Sequence, residues 1–377
     1  MGSYAEAGVN VSLGDQASRI LYDAARETWS SRQGRLGEVL VPFDDFSGLC
    51  VIDVSSLPPG TWMMLGFDGV GTKVEIAERM DQHDTIAFDL LAMVCDDAVI
   101  RGAEPVLVGS ILDISRLAHR QDASNFLEQI HQIARGYVAA AKEAQVAIVN
   151  GELAEMGPRV GGYGDFAYNW GACVLWFGRQ DQMLTGQRVH PGDTLVGLGE
   201  EGFRSNGLSM VRHAFEQHYG EDWHEVRWRG TLLGQGVLTP SRIYTRAITT
   251  MTGGFSGTPK ATLHGAAHIT GGGLPGKLGR LLKASGCGTI IEAPIPPPPL
   301  MLHCQELSRL SDKEAYRTWH MGQGIVLATP SPGPVLDIAQ RLQIPAKMIG
   351  HVAKEPGIYI RSQGCQTPQE LLHFPQD

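Results

Sequence analysis

Little in this chain assigns it to a class at once. Its six cysteines (Cys50, Cys95, Cys173, Cys287, Cys304 and Cys365) include no Cys-x-x-Cys pair. That spacing excludes a disulfide framework and suits zinc poorly, so reduced thiols are expected. No Lys/Arg-rich cluster is present and the net charge is −9, which argues against a nucleic-acid partner. No apolar run approaches the roughly 18 residues of a membrane span, so no membrane partner is expected. Residues Met1 to Gly14 show no basic segment followed by an apolar core, so no signal peptide is read there. A soluble, cytoplasmic protein is expected. The chain also lacks a P-loop and the dinucleotide fingerprint Gly-x-Gly-x-x-Gly.

Hydrophobic residues make up 43% and charged residues 19% of the 377 positions, enough for a large core and two ordinary domains. Residues 15–32 are expected to be helical, with Ala17, Ile20, Leu21, Ala24 and Ala25 on one face. His83 to Arg101 reads as a long buried helix, because Ile86, Leu90, Met93, Val94 and Ala98 recur at helical spacing. Gly102-Ala103-Glu104-Pro105 ends it. Strands are expected at Leu49 to Ile52, Met63 to Phe67, Val106 to Leu112, Val146 to Asn150 and Trp170 to Phe177, with a helix at Ala123 to Ala144. A polar, turn-rich stretch from Thr185 to Asp193 marks a boundary, giving domains 1–184 and 185–377. Beyond it, Thr194 to Leu198 and Gly324 to Ala328 read as strands. Ser205 to Phe215, Pro240 to Met251 and Gly276 to Lys283 read as helices. Pro294 to Pro299 reads as a rigid extended connection. Alternating strands and helices in both halves predict two α/β domains.

Five segments could carry chemistry. Phe67-Asp68-Gly69-Val70-Gly71-Thr72-Lys73 follows the apolar run Trp62-Met63-Met64-Leu65, read as a buried strand. It brings a carboxylate for a hard cation, glycines for close backbone approach and an ammonium for a phosphate. A surface turn is the alternative. Asp96-Asp97 ends the buried helix, where acids oppose the macrodipole unless they meet a cavity, a cation or a cap. Asn150 to Pro158 follows a strand and offers Glu152 and Glu155, either for a ligand or as a solvated loop. In Gly202-Phe203-Arg204-Ser205-Asn206-Gly207, Ser205 and Asn206 suit either an N-cap or a phosphate site, with Arg204 as a bidentate partner. His264 to Gly273 joins two histidines to Thr270, Gly271, Gly272 and Gly273, an anion nest before a helix; a structural role for His268 is the alternative.

Together these segments resemble the aminoimidazole ribonucleotide synthetase (phosphoribosylformylglycinamidine cyclo-ligase) family, from Ser3-Tyr4-Ala5-Glu6-Ala7-Gly8-Val9 to about Val326. The match runs in order through Asp68 to Lys73, His83 to Ile86, Gly102 to Pro105, Gly151 to Met156, Pro191-Gly192-Asp193, Ser205 to Gly207, His268 to Gly273 and Tyr316-Arg317-Thr318. The resemblance implies an N-terminal ATP-binding domain whose sheet pairs in a homodimer, plus a C-terminal domain. It implies ATP- and Mg²⁺-dependent closure of formylglycinamidine ribonucleotide, a small-molecule substrate, to aminoimidazole ribonucleotide. By position it implies Asp68, Asp97 and Glu152 for the Mg²⁺–phosphate region and Gly69, Gly71, Thr72 and Lys73 for the nucleotide loop. Ser205, Asn206, Thr270 and Gly271 to Gly273 would hold a phosphate. His264 or His268 would position substrate or move a proton.

The departures from the family pattern concern charge. Leu21 stands where the family has a lysine, Asp44-Asp45 where it has two glycines, Ser110 where it has an aspartate, and Asp96 where it has an asparagine. Added acids beside a polyphosphate predict an extra Mg²⁺ on Asp44, Asp45 and Asp96. They also leave two other readings open, a divergent paralogue acting on another amide and a catalytically silent nucleotide-binding homologue.

Overall fold

The computed structural model describes residues 11–41, 50–118 and 124–376. The chain divides into two compact units, Met1–Cys95 with Pro105–Phe177 and Asp96–Glu104 with Gly178–Asp377. Both mix helices with sheet, as expected from the alternating pattern. Among the described residues no helix is long and apolar enough to cross a membrane.

In chain order the first unit is built from α1 (Val11–Thr28), β1 (Thr61–Gly69), α2 (Val74–Met80), α3 (Ile86–Val99), β2 (Glu104–Ile114), α4 (Leu127–Ala144), β3 (Ala147–Glu155) and β4 (Tyr168–Arg179). α3 and β2 extend across the unit boundary at their Asp96–Glu104 side. The sheet order is β1-β4-β2-β3, with β2 and β3 parallel. α1 packs on α4 and β3 through the small residues Ala17, Ala24 and Ala25. Its end is pinned where Thr28 Oγ1 accepts from Ile148 N–H (2.8 Å) and Trp29 Nε1 donates to Ile148 O (2.7 Å).

Three expectations change here. The Trp62 to Leu65 run is a strand but not a buried one: Met63 is 63% and Phe67 75% exposed. β1 is an edge strand, and among the described residues nothing covers these side chains. Cys50 to Ile52 form no strand; Val51 only bridges Leu40. β3 runs on through Glu155, so Gly151, Glu152 and Glu155 belong to a strand and not to a loop after it. Its pairing with β2 sets Ser110 opposite Gly151 and Ile111 opposite Glu152.

The second unit comprises β5 (Thr194–Gly199), α5 (Leu208–Tyr219), the short hairpin β6 (Arg227–Trp228) and β7 (Thr231–Leu232), α6 (Leu233–Val237), α7 (Thr245–Thr252), β8 (Gly265–His268), α8 (Gly273–Leu282), β9 (Gly288–Ile291), α9 (Pro299–Ser308), α10 (Asp312–Thr318), β10 (Gln323–Thr329), α11 (Pro332–Arg341), β11 (Ala346–Ala353), β12 (Ile358–Arg361) and β13 (Leu371–Phe374). Seven strands form one sheet in the order β13-β12-β9-β11-β5-β10-β8. Every adjacent pair is antiparallel except β12 with β9. Val196, Leu198, Ile325 and Leu327 of the central strands form a core with Ile248 and Met251 on one helix, Tyr244 just before it, and Val335, Ile338 and Ala339 on another.

α7 starts at Thr245 and not at Pro240. The residues before it give their N–H groups to buried carboxylates, Arg242 N to Glu200 (3.2 Å) and Tyr244 N to Asp96 (3.0 Å). α5 starts at Leu208, with Gly207 at the N-cap (φ 76°), so neither Ser205 nor Asn206 caps it. The proline run is extended only to Pro298; Pro299 opens α9, where its missing N–H is no loss.

Candidate functional site

The first unit carries an open depression of about 660 Å³ across its sheet, lined from all four strands by Phe67, Asp68, Ser110, Glu152, Gly171 and Cys173 among others. Asp68 and Glu152 are both exposed. Asp68 Oδ1 accepts from Gly69 N–H (2.7 Å). Glycines floor the depression because strands pass close: a Cβ on Gly69 would lie 3.2 Å from Trp170 O. The turn after β1 uses Gly71 at φ 69°, a conformation only glycine adopts freely, and Thr72 beyond it is exposed.

Lys73 does not present its ammonium to solvent. It is fully buried, with Nζ 2.8 Å from Asp89 Oδ1, itself fully buried on α3. The expected phosphate contact is thus replaced by an internal ion pair that ties the turn to a helix. A second cavity of about 410 Å³ lies beside the depression and shares Ser110, Gly151 and Glu152 with it; Leu21, Tyr22, Leu112, Ile148 and Trp170 give it apolar walls. Leu21 and Ser110, two positions of altered charge, therefore line one cavity. Asp44 and Asp45 lie outside the described residues.

In the second unit, the C-terminal ends of β5 and β8 converge on a buried polar chain. Asp97 Oδ1 accepts from His268 Nδ1–H (2.7 Å), and His268 Nε2 accepts from Arg204 (2.7 Å). Arginine can only donate, which fixes the proton on Nδ1. Arg204 also donates to Glu200 and to Arg242 O (3.2 Å), lies 3.6 Å from Asp96 Oδ2, and sits over the Tyr244 ring. It is 1% exposed at φ 57°, so it braces the interior and is not the phosphate partner expected.

The electrostatics follow from this packing. Burial pushes His268 down to about 4, and the Arg204 charge adds to that against the opposing pull of Asp97, so the imidazole is neutral at pH 7. Asp97 is 56% exposed; its desolvation is outweighed by the His268 hydrogen bond and nearby cations, which hold its carboxyl low. Burial pushes Asp96 up to about 7 although Arg204, Thr245 and Tyr244 all favour its charge. Burial is the largest influence on Glu200 and would raise it, but Arg204, His320 and the Glu201 N–H together outweigh it and lower it. Asp96 is fully enclosed and holds the residues that open α7, with Tyr244 N–H and Thr245 Oγ1 both donating to it at 3.0 Å, so it is not open to an added cation. His268 has both nitrogens engaged and serves as a link, not as a ready base.

Next to this chain, Thr270 and the three glycines lead into α8. Gly272 is its N-cap (φ 88°), and at Gly273 (φ 61°) any Cβ would collide with the Tyr316 carbonyl. Asn206 lies about a van der Waals contact from Gly271. Ser205 Oγ and Asn206 Oδ1 are inaccessible and have no hydrogen-bond partner among the described residues. Gly273 N–H, the first of α8, donates to Thr270 O (2.9 Å) and Pro275 brings none, so the helix start keeps few N–H groups for an anion, and of the two orphan atoms only the Ser205 hydroxyl can donate to one.

The expected residues thus fall into separate groups. Asp68 and Glu152 share a depression in the first unit. Asp97 and His268 are bonded together in the second, beside Ser205, Asn206, Thr270 and Gly271 to Gly273. His264 is elsewhere: it precedes β8, with His268 at the strand's other end, about 13 Å along it. It bonds Asp193 (Nδ1 to Oδ2, 2.9 Å). Sequence reasoning missed the brace formed by Glu200 and Tyr244. The Glu200-to-Arg204 spacing was its only signal.

Family models match most of the chain: AIR synthase related protein, N-terminal domain, over residues 49–172, and AIR synthase related protein, C-terminal domain, over residues 190–363. A relative from Pyrococcus furiosus named phosphoribosylformylglycinamidine cyclo-ligase is 31% identical over 371 residues, covering 97% of this chain and 99% of the relative. One of the same name from Pyrococcus horikoshii is 32% identical over 94% of this chain and 96% of its own. Among solved structures, thiamine-monophosphate kinase from Stenotrophomonas maltophilia K279a shares the fold at a TM-score of 0.61 with 15% identity, covering 91% of this chain and 97% of that one. E. coli HypE, a hydrogenase maturation protein, does so at 0.58 with 17% identity, over 87% and 90%. T. maritima PurL complexed with ATP gives 0.51 with 14% identity, over 96% of this chain and 51% of that one. With both family models matched in order, and relatives above 30% identity along nearly the whole length, the chain belongs to the AIR synthase related protein family.

Proposed function

We propose that this protein is an ATP-dependent cyclo-ligase that closes formylglycinamidine ribonucleotide to aminoimidazole ribonucleotide, acting as a cytoplasmic homodimer. The observation that carries the reading is the pair of exposed carboxylates, Asp68 and Glu152, lining one depression in a chain whose full-length relatives bear the cyclo-ligase name. The formyl amide oxygen attacks the γ-phosphorus of ATP and ADP departs. The amidine nitrogen then attacks the carbon of the imidate phosphate, and phosphate leaves as the ring closes. Activation is needed because an amide oxygen is a poor leaving group.

Hard, exposed carboxylate oxygens suit Mg²⁺, and Asp68 and Glu152 would hold it. When bound, Mg²⁺ draws charge from the phosphate oxygens as ADP leaves. Gly69, Gly71 and Thr72 are the groups proposed to face the triphosphate. Lys73 supports them from inside through Asp89. Ser205, Asn206, Thr270 and Gly271 to Gly273 are proposed for the substrate's phosphate, with Asp97 kept ionised and oriented by His268. The homodimer reading is supported by the uncovered apolar side chains of β1 and by Ile111, also exposed. An isotope experiment tests the chemistry. Substrate carrying ¹⁸O in the formyl group must deliver that oxygen to the released phosphate; unlabelled phosphate alongside ring closure refutes it.

A second reading, action on a different amide, draws on the cavity where Leu21 and Ser110 stand among apolar walls. It predicts ATP binding without turnover of formylglycinamidine ribonucleotide.

A further inference from the structure

We infer that the second unit carries a transition-metal site at the end of its seven-stranded sheet opposite His268, formed by His190, Asp193 and His264 and suited to Zn²⁺. One donor atom from each residue lies within 4.8 Å of the other two. His264 Nδ1 is 2.9 Å from Asp193 Oδ2 and 3.0 Å from Oδ1. His190 Nδ1 is 3.4 Å from Asp193 Oδ1 and 3.3 Å from Pro191 O, and the two imidazole rings meet at 4.9 Å between centroids. Tetrahedral Zn²⁺ with bonds of about 2.0–2.1 Å sets its donors about 3.3–3.4 Å apart. Measured from Asp193 Oδ1, the two imidazole nitrogens already lie at 3.0 and 3.4 Å, and a turn of the exposed His190 ring would close the third edge.

The backbone is built to hold that arrangement. Asp193 immediately precedes β5, and its turn is tied to β11 by Gly192 N to Val352 O (3.0 Å) and Val352 N to Asp193 O (2.9 Å). His264 immediately precedes β8 and is tied to β10 by its N–H to Ala328 O (2.9 Å). Both strands run antiparallel to β10, so their starts share one end of the sheet. Asp193 is wholly buried, His264 14% exposed and His190 59% exposed. A cation therefore has a buried inner carboxylate, a largely buried imidazole and an exposed outer imidazole beside which it can enter, with the fourth position left to water. Imidazole donors select Zn²⁺ and its neighbours over Mg²⁺. The site stands whether or not the ring-closure reading holds: of its three residues only His264 was implied for that reaction by the resemblance, and His264 lies about 13 Å along β8 from His268.

The test is a titration of the metal-free full-length protein with Zn²⁺ against a chromogenic chelator, with excess Mg²⁺ present. The expected result is saturable binding of one equivalent, a raised unfolding temperature, and visible ligand-field bands when Co²⁺ replaces Zn²⁺. His190→Ala, an exposed change that spares the fold, and His264→Gln should each weaken binding at least tenfold, since losing even an outer partner of a ligand costs about 10–100-fold. No stoichiometric binding by the parent protein overturns the proposal, as does affinity unchanged in His190→Ala and His264→Gln variants that retain the parent's circular dichroism.

Discussion

Replacing Arg204 by methionine tests the interior brace of the second unit. The guanidinium donates to Glu200, lies 3.6 Å from Asp96, and is 1% exposed. Methionine fills much of the volume but leaves two buried carboxylates without their cation. Breaking a buried pair from one side costs about 3–5 kcal/mol. The pH dependence is the sharper signature. With Arg204 present, Glu200 is held low, so its contribution is present at neutral pH and lost as pH falls through its folded pKa. Without Arg204, burial acts on Glu200 against His320 and the backbone N–H groups of Glu201 and Arg242, and Asp96, already about 7, rises further. Raised carboxyls cost stability at high pH and return it as they take up protons, about 1.4 kcal/mol per pH unit per proton. The deficit of Arg204→Met should therefore shrink from pH 8 to pH 5, and Arg204→Lys should fall between, keeping the charge but losing the fork. Urea unfolding at both pH values measures it. A deficit under about 1 kcal/mol at pH 8, or one that does not shrink on acidification, refutes the reasoning.

Three further predictions concern other parts of the molecule. Met63→Glu places a charge on the uncovered edge of β1 and should weaken self-association by at least about a hundredfold in sedimentation velocity, from lost apolar burial in both copies; an unchanged sedimentation coefficient removes β1 from the interface. Asp68→Asn and Glu152→Gln should each cost about a hundredfold or more in kcat with unfolding temperatures unmoved, because both side chains are exposed and carry no core packing; parent-like rates would take them out of the site. His268 falls from its usual 6.5 to about 4, so neutral His268 stabilises the fold above pH 6.5 and that contribution, roughly 3 kcal/mol, is lost towards pH 4. His268→Gln keeps a donor and an acceptor without titrating, and its urea midpoint should fall less between pH 6.5 and pH 4; parallel curves would count against the buried neutral imidazole.

Much of the secondary structure was legible because long periodic segments leave few alternatives. The apolar helices α3 and α4 and the strand β2 between them lie close to where the pattern put them. Exposure was less legible. The Trp62 to Phe67 run has the same signature whether its own chain or another covers it, so burial could not be read from it. Asp96 and Asp97 are adjacent in sequence but about 100° apart around a helix, which turns one into the core and leaves the other at the surface. Lys73 looked like a phosphate ligand from its glycine and threonine neighbours; its partner Asp89 is sixteen residues away and hidden among apolar positions of α3. His264 and His268 sit on one motif in sequence, yet a strand separates their ends, and they join different polar groups.

Turnover tests the central proposal most directly. Purified protein with ATP, Mg²⁺ and formylglycinamidine ribonucleotide should release ADP, phosphate and aminoimidazole ribonucleotide in equal amounts, and Asp68→Asn should abolish all three together. ADP release without aminoimidazole ribonucleotide, or no reaction by a protein that still binds ATP, would contradict it.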